Sequence, residues 1–457
     1  MSIFNTSNII RSDSYKVSHF KQLPPGTTNL YSYLESRGGL FPETVFFGLN
    51  YYLKQYLSRP ITMADVDYAE TRINKHLGPG VFNREGWERI VKVHNGFFPV
   101  RIKAVPEGTV VPTRNVLLTI ENTDDELPWV TNYIETMLLK VWYPITVATL
   151  SREIKKLIKK YLEETGDVSG LDFKLHDFGY RGVSSEESAA IGGIAHLVNF
   201  KGTDTMIALE AAEEFYHSDM AGFSIPAAEH STITAWGESF EYEAYENMIK
   251  QFGNGALYAV VSDSYNIYKA CEEIWGEQLR SKVLAANGIL VIRPDSGVPH
   301  EVVRQITEIL GKKFGYTTNE KGYKVLNHVR VIQGDGITLE EINRILEALK
   351  IRGWSADNVA FGMGGALLQQ CNRDTQKFAI KASSMIRNGR IQDVYKAPVT
   401  DNGKRSKRGR LKLVWNDGVL ETVTTSQLGT DVLQTVWENG KLLVDENLED
   451  VRSRASV

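Results

Sequence analysis

From about residue 170 to about 375 the chain alternates short apolar runs with longer stretches whose apolar residues recur at helical spacing. The short runs fall at 173–178, 197–200, 222–225, 257–261, 289–292, 329–333 and 359–361. Helical stretches of roughly 10 to 20 residues follow most of them. Runs apolar on both faces suit parallel strands covered by helices, so the pattern predicts a succession of strand–helix units. The flanking regions read differently. Residues 62–76 and 84–93 are expected as surface helices, and 30–37, 98–105 and 116–121 as strands, the last two separated by Pro106, Gly108 and Pro112. Helical spacing begins at Trp129. Tyr143-Pro144 is expected to divide two helices, the second reaching about Glu164. Beyond 375 the pattern returns to hairpins: a strand at 378–381, a hairpin over 385–391 turning at Asn388-Gly389, and 411–414 pairing with 420–423 across Asn416-Asp417-Gly418.

Polar residues gather at one end of the seven central strands. Following them in order are Asp177 and Arg181; Lys201 and Asp204; Glu229 and His230; Asp263; Arg293 and Asp295; Gly334 and Asp335; and Gly364 and Gly365. Tips of this kind on every strand favour an α/β barrel, whose site lies at the carboxyl ends of its strands. An open doubly wound sheet also binds ligands there, mostly near its switch point.

Composition narrows the class. At 457 residues there is room for two or more domains, and 42% hydrophobic with 24% charged residues is ordinary for a globular protein. The net charge of −4 argues against nucleic-acid partners. No apolar run approaches a membrane span and the first residues lack signal-peptide regions, so a cytoplasmic protein is expected. Cys271 and Cys371 have no metal-ligand spacing and read as reduced, buried small hydrophobes.

The chemistry concentrates in a few motifs. Lys174 to Glu187 runs from a strand through Gly179 and Gly182 to Ser184, which with Glu187 forms the pattern of a capping box. Such a turn is either plain structure or an anion site, with Arg181 as a planar donor and Phe178 and Tyr180 as faces for a flat ring. Arg293-Pro-Asp-Ser-Gly297 sets a guanidinium two residues from a carboxylate. Gln333-Gly-Asp-Gly336 repeats the logic, with Thr338 and Glu341 capping the next helix. Phe361-Gly-Met-Gly-Gly365 could cradle a phosphate with backbone N–H groups. Together these point to a phosphorylated sugar. Glu229-His230 is either a satisfied structural pair or a carboxylate orienting an imidazole for work on a phosphate. His176, inside a strand, reads as structural. The basic run from Lys396 to Arg410 is either a solvated loop or a seat for polyphosphate.

Six blocks, Asp13-Ser-Tyr-Lys16, His176-Asp-Phe-Gly-Tyr-Arg-Gly182, Phe200-Lys-Gly-Thr-Asp204, Pro226-Ala-Ala-Glu-His-Ser231, Ile292-Arg-Pro-Asp-Ser-Gly297 and Gln333-Gly-Asp-Gly336, resemble the nicotinamide phosphoribosyltransferase family. The similarity extends over essentially the whole chain. It implies an irregular, incomplete α/β barrel over 151–375 with an additional β-containing domain, assembled from an α+β segment at 1–150 and a β-rich segment at 376–457. It also implies a homodimer with sites at the interface, Mg²⁺, and ATP as an activating co-substrate. By the same resemblance Phe178 and the partner's Tyr15 would sandwich the pyridine ring, Arg181 would bind phosphate, and Asp204 would accept the carboxamide NH₂. Arg293 and Asp295 would hold pyrophosphate and ribose, with Gly334, Asp335, Gly365 and Arg373 near the 5′-phosphate. Lys381, Lys396 and Lys404 would contact phosphates, Asp263 with Asp295 would organise Mg²⁺, and His230 would be phosphorylated by ATP. The chain departs from animal members at Met363 and Ala379, where they carry serine, and at Asn266, where they carry aspartate.

Overall fold

The computed structural model describes residues 6–400 and 405–457. The chain folds as two compact units, one of 150–213, 218–370 and 457, the other of 1–149, 214–217 and 371–456.

The first unit is built on a curled, wholly parallel sheet. Its strands are Leu175–Asp177, Gly202–Thr203, Leu257–Val261, Ile289–Arg293, Val329–Gln333 and Val359–Met363. Gly202–Thr203 is one edge, and Leu257–Val261 the other. The segment 223–227 bridges both edges, pairing Phe223 with Gly202 and Ala227 with Ala259, each in parallel. Seven segments thus follow one another around a ring in chain order, as the alternating pattern predicts for a barrel. Ala259, Val291 and Ile332 face inward at one level, with Phe178, Ile225 and Ala360 packed against them.

Two of the expected strands take other forms. The run 197–200 is the last turn of the helix Glu186–Leu197 and the bend beyond it: the amides of Asn199 and Phe200 both bond the carbonyl of His196. Its apolar residues are buried as a helix end, with Phe200 stacked on His196, which a four-residue run cannot signal by periodicity. The strand is the two-residue Gly202–Thr203 that follows. The run 222–225 makes only the single Phe223 bridge, and Pro226, without an N–H, cannot extend a ladder.

The other unit has a seven-stranded antiparallel sheet. Its order is Arg390–Asp393, Phe378–Arg387, Thr27–Ser36, Val116–Asn122, Val100–Ala104, Gln434–Glu438 and Lys441–Leu442. Thr27–Ser36 at its centre is buried from Asn29 onward. Two hairpins turn as their sequences require. Asn388-Gly389 and Asp417-Gly418 both have positive φ at each central residue, the two-residue type I′ geometry. The strand 378–387 is continuous where the sequence suggests two pieces.

The division of two helices expected at Tyr143-Pro144 falls at Val141/Trp142, where the short helical segments Val130–Tyr133, Glu135–Leu138 and Leu139–Val141 give way to the helix Trp142–Thr165. Pro144 is its third residue. An N–H there has no intrahelical acceptor in any case, so proline costs little. Among the described residues no helix is long and apolar enough to cross a membrane.

Candidate active site

The strand Leu175–Asp177 ends on a buried carboxylate. Asp177 Oδ1 accepts the Gly179 N–H at 2.7 Å, and the Phe178 N–H reaches the Met363 carbonyl at 3.0 Å. These bonds turn the chain sharply and leave Phe178 over the barrel mouth. Burial raises the Asp177 pKa to about 6. The Phe178 ring lies against Gly362, where a Cβ would stand 1.9 Å from ring Cε2, and Gly334, where it would stand 3.2 Å away. The Arg293 guanidinium sits 5.5 Å from the ring centroid. Two of the glycines in the tip motifs therefore make room for an aromatic ring, a use the motifs alone do not reveal.

Tyr180 and Arg181 follow in an exposed turn, the Arg181 side chain 87% accessible. The next helix is capped one residue later than its sequence suggests. Ser185, not Ser184, accepts from the Ser188 N–H at 3.1 Å, and Ser184 donates its N–H to Gln369. Asp204 stands at the neighbouring tip, its N–H bonded to the Asp177 carbonyl at 3.0 Å. Its exposed carboxylate accepts from the Ser224 hydroxyl.

His230 opens the helix His230–Thr234. Its Nδ1 lies 3.2 Å from Ser264 Oγ, and its Nε2 lies 3.4 Å from both Asp263 Oδ1 and Asp295 Oδ2. Glu229 does not orient it, which corrects that reading: the Glu229 carboxylate takes the Ser231 hydroxyl and faces Arg181 at 3.9 Å. A residue adjacent in sequence at a helix start points elsewhere, and the contacts come instead from the next two strand tips. Asp263 is 3% exposed in its side chain; Oδ2 accepts from Ser296 Oγ at 2.5 Å, while buried Oδ1 has no hydrogen-bond donor among the described residues. Asp295 Oδ1 accepts from Arg293 Nε at 3.1 Å and Nη2 at 2.6 Å, two charge-assisted bonds converging on one oxygen that hold the guanidinium in place. His176 is structural as expected, its Nε2 3.1 Å from the Phe173 carbonyl and its pKa lowered by burial.

A cleft of about 1190 Å³ joins these tips. Phe178, Arg181, Asp204, Arg293, Asp295, Gly334, Asp335 and Gly365 all line it; His230 touches it through Asp295, and Asp263 stands behind His230. Of the remaining expected residues, Tyr15, Arg373, Lys381 and Lys396 belong to the other unit. Tyr15 is 60% exposed on the 3₁₀ segment Ser14–Lys21, whose Lys16 is buried against Glu135 at 2.6 Å. Arg373 is exposed beside Asp374. Lys381 is half-buried with its ammonium on the Ile380 carbonyl, and burial lowers its pKa. Lys396 is exposed, and Lys404 lies outside the described residues. Part of the basic run is structural: Lys407 pairs with buried Glu35 at 2.7 Å and Arg410 with Glu121 at 2.8 Å. Asn266 is a helix cap, accepting from the N–H groups of Tyr268 and Lys269, a role aspartate fills equally well. Ser224 and Ser264 lie in none of the quoted motifs, and Ser296 lies inside Arg293-Pro-Asp-Ser-Gly297 without being singled out there. Their signal is only adjacency to the tips.

This is a parallel barrel with a cationic, aromatic and carboxylate-bearing mouth. The sequence profile of the nicotinate phosphoribosyltransferase family matches residues 173–441, and that of the nicotinamide phosphoribosyltransferase N-terminal domain matches 7–102. The chain is 54% identical to a nicotinamide phosphoribosyltransferase of Xanthomonas campestris over 98% of its length and 97% of the relative's. It is 33% identical to one of Acinetobacter baylyi, over 97% and 95%. Among solved structures, a nicotinate-nucleotide pyrophosphorylase from Pyrococcus furiosus superposes with a TM-score of 0.62 at 15% identity, covering 100% of this chain and 97% of that one. The human nicotinic acid phosphoribosyltransferase superposes with a TM-score of 0.55 at 15% identity, over 97% and 92%. The structural likenesses establish a shared fold. The chain belongs to the nicotinate phosphoribosyltransferase family, and within it to the nicotinamide phosphoribosyltransferases.

Proposed function

We propose that this chain joins nicotinamide to 5-phosphoribosyl 1-pyrophosphate, giving nicotinamide mononucleotide and pyrophosphate in NAD salvage. The observation that carries the reading is Phe178, seated over Gly362 beside the Arg293–Asp295 pair at the mouth of the cleft. An aromatic face next to a fixed guanidinium suits a flat pyridine beside a diphosphate. The C1′–oxygen bond to pyrophosphate breaks as the ring nitrogen bonds C1′, and no proton moves, so no general base is needed. Arg293 and Arg181 neutralise the departing charge electrostatically. Phe178, with Tyr15 of the partner subunit in a homodimer, stacks the ring and favours its cationic product. Gly334, Asp335 and Gly365 line the part of the cleft that suits the ribose 5′-phosphate, and the family resemblance assigns Arg373, Lys381, Lys396 and Lys404 as further phosphate contacts.

Asp263 and Asp295 fit Mg²⁺. They are hard oxygen donors on adjacent tips, and the buried Asp263 Oδ1 has no hydrogen-bond donor among the described residues. These two carboxylates would hold the ion, which would supply charge neutralisation for a pyrophosphate leaving group. His230, 45% exposed and held by Ser264, Asp263 and Asp295, is the site at which ATP activates the enzyme. A ring nitrogen takes the γ-phosphoryl group as its bond to ADP breaks, and the carboxylates stabilise the imidazolium. The protein works in the cytoplasm with small-molecule substrates, without nucleic-acid or membrane partners.

Asp204 sets the choice of substrate. A carboxylate accepts from an amide NH₂ but repels nicotinate, at a cost of several kcal/mol, or about a hundredfold or more in selectivity. Asp204→Ser is expected to lose most of the preference in parallel kinetics with nicotinamide and nicotinate. Unchanged selectivity would remove Asp204 from this role.

A further inference from the structure

We propose that Glu341 and His300 form a strap that fixes the spacing of the two loops handling the phosphate half of the substrate, and so act as positioning residues. The inference rests on the reaction proposed above. The helix Pro299–Phe314 begins directly after Arg293-Pro-Asp-Ser-Gly297, and its N-cap position is Val298, a side chain that cannot accept a hydrogen bond. Its first-turn N–H groups therefore need an acceptor from outside. Glu341 provides it. Its Oε1 accepts the His300 N–H at 3.2 Å and lies 2.7 Å from His300 Nδ1. The carboxylate thus caps a helix other than its own.

Glu341 sits in the first turn of the helix Leu339–Ile351, at the end of the Gly334–Thr338 loop. Its own N–H is held by Thr338 Oγ at 3.1 Å, but its side chain does not reach back to complete a capping box. It is 8% exposed, and Oε2 takes Arg344 at 3.3 Å. A buried carboxylate deprived of its donors is costly, so the strap holds tightly. The loops also meet where a Cβ on Gly336 would stand 3.3 Å from Pro299 Cγ. One loop carries Arg293 and Asp295, the other Gly334 and Asp335, and all four line the cleft. His300 and Glu341 lie behind them and act through them.

The test uses the full-length enzyme carrying His300→Leu, Glu341→Ala and both together. Each single change is expected to raise KM for 5-phosphoribosyl 1-pyrophosphate about fivefold or more, while KM for nicotinamide stays within about twofold, since the pyridine contacts lie on other tips. The double variant is expected to be no worse than the poorer single one. His300→Asn, whose amide can donate near the Nδ1 position, is expected to recover most of the loss. Hydrogen exchange of the free enzyme gives an independent readout, in which either single change loosens both 293–300 and 334–341. Multiplying losses in the double variant, equal damage to both substrates, or loosening confined to the mutated loop would overturn the strap. A wild-type chain that makes no nicotinamide mononucleotide would overturn the proposed reaction instead, and the exchange pattern would still decide the strap.

Discussion

Gly362 shows what one absent methyl group accomplishes. The Phe178 ring occupies the space a Cβ would need, with 1.9 Å between that position and ring Cε2. Gly362→Ala must swing the ring away from Arg293 and out of its stacking position. KM for nicotinamide is expected to rise at least about tenfold, given what aromatic stacking and packing contribute. A nicotinamide KM equal to wild type would mean that Phe178 is not the stacking face. At this scale the tip residues were legible, because each follows an apolar run directly. Their partners were not. His230 is held from positions 263, 264 and 295, residues brought to it by the ring of strands, while the neighbouring Glu229 turns toward Arg181. Sequence adjacency suggested the wrong carboxylate because hydrogen-bond geometry at a helix start is set by backbone direction.

At the scale of elements, the helix Glu186–Leu197 is tied to the short strand after it by His196. This residue is fully buried, with Nε2 on the Gly202 carbonyl at 3.0 Å and Nδ1 on Ser151 Oγ at 3.1 Å. Burial lowers its pKa to about 3 from an ordinary 6.5. Between those values the unfolded chain binds a proton that the folded chain does not. Stability therefore falls as pH drops below 6.5, on the order of 1 kcal/mol per unit from this group. Denaturant unfolding of wild type and His196→Gln at pH 7.0 and 5.5 is expected to show a smaller acid loss in the variant, though it starts less stable. Equal acid losses would assign the sensitivity elsewhere. Helices with strong caps and amphipathic faces were readable to within a residue, as Met63–Leu77 with its Thr62–Asp65 capping box and Arg84–Val93 show. The short segments 197–200 and 222–225 were not. A strand reduced to two residues, or to one bridge, leaves no periodicity to detect.

Across the whole molecule, the barrel was the legible part because its strands neighbour one another in chain order, so local alternation already encodes the ring. The other unit was legible in its hairpins but not in its sheet order. Thr27–Ser36 pairs with Phe378–Arg387 on one side and Val116–Asn122 on the other, and no local pattern announces a partner so distant in sequence. A reaction at the barrel mouth is checked by following product formation. Nicotinamide mononucleotide is measured from nicotinamide, 5-phosphoribosyl 1-pyrophosphate and Mg²⁺, with and without ATP, and with nicotinate in parallel. The proposed reaction is expected to give product that strongly prefers nicotinamide and increases with ATP. Turnover of nicotinate in preference, or of neither substrate, would contradict it.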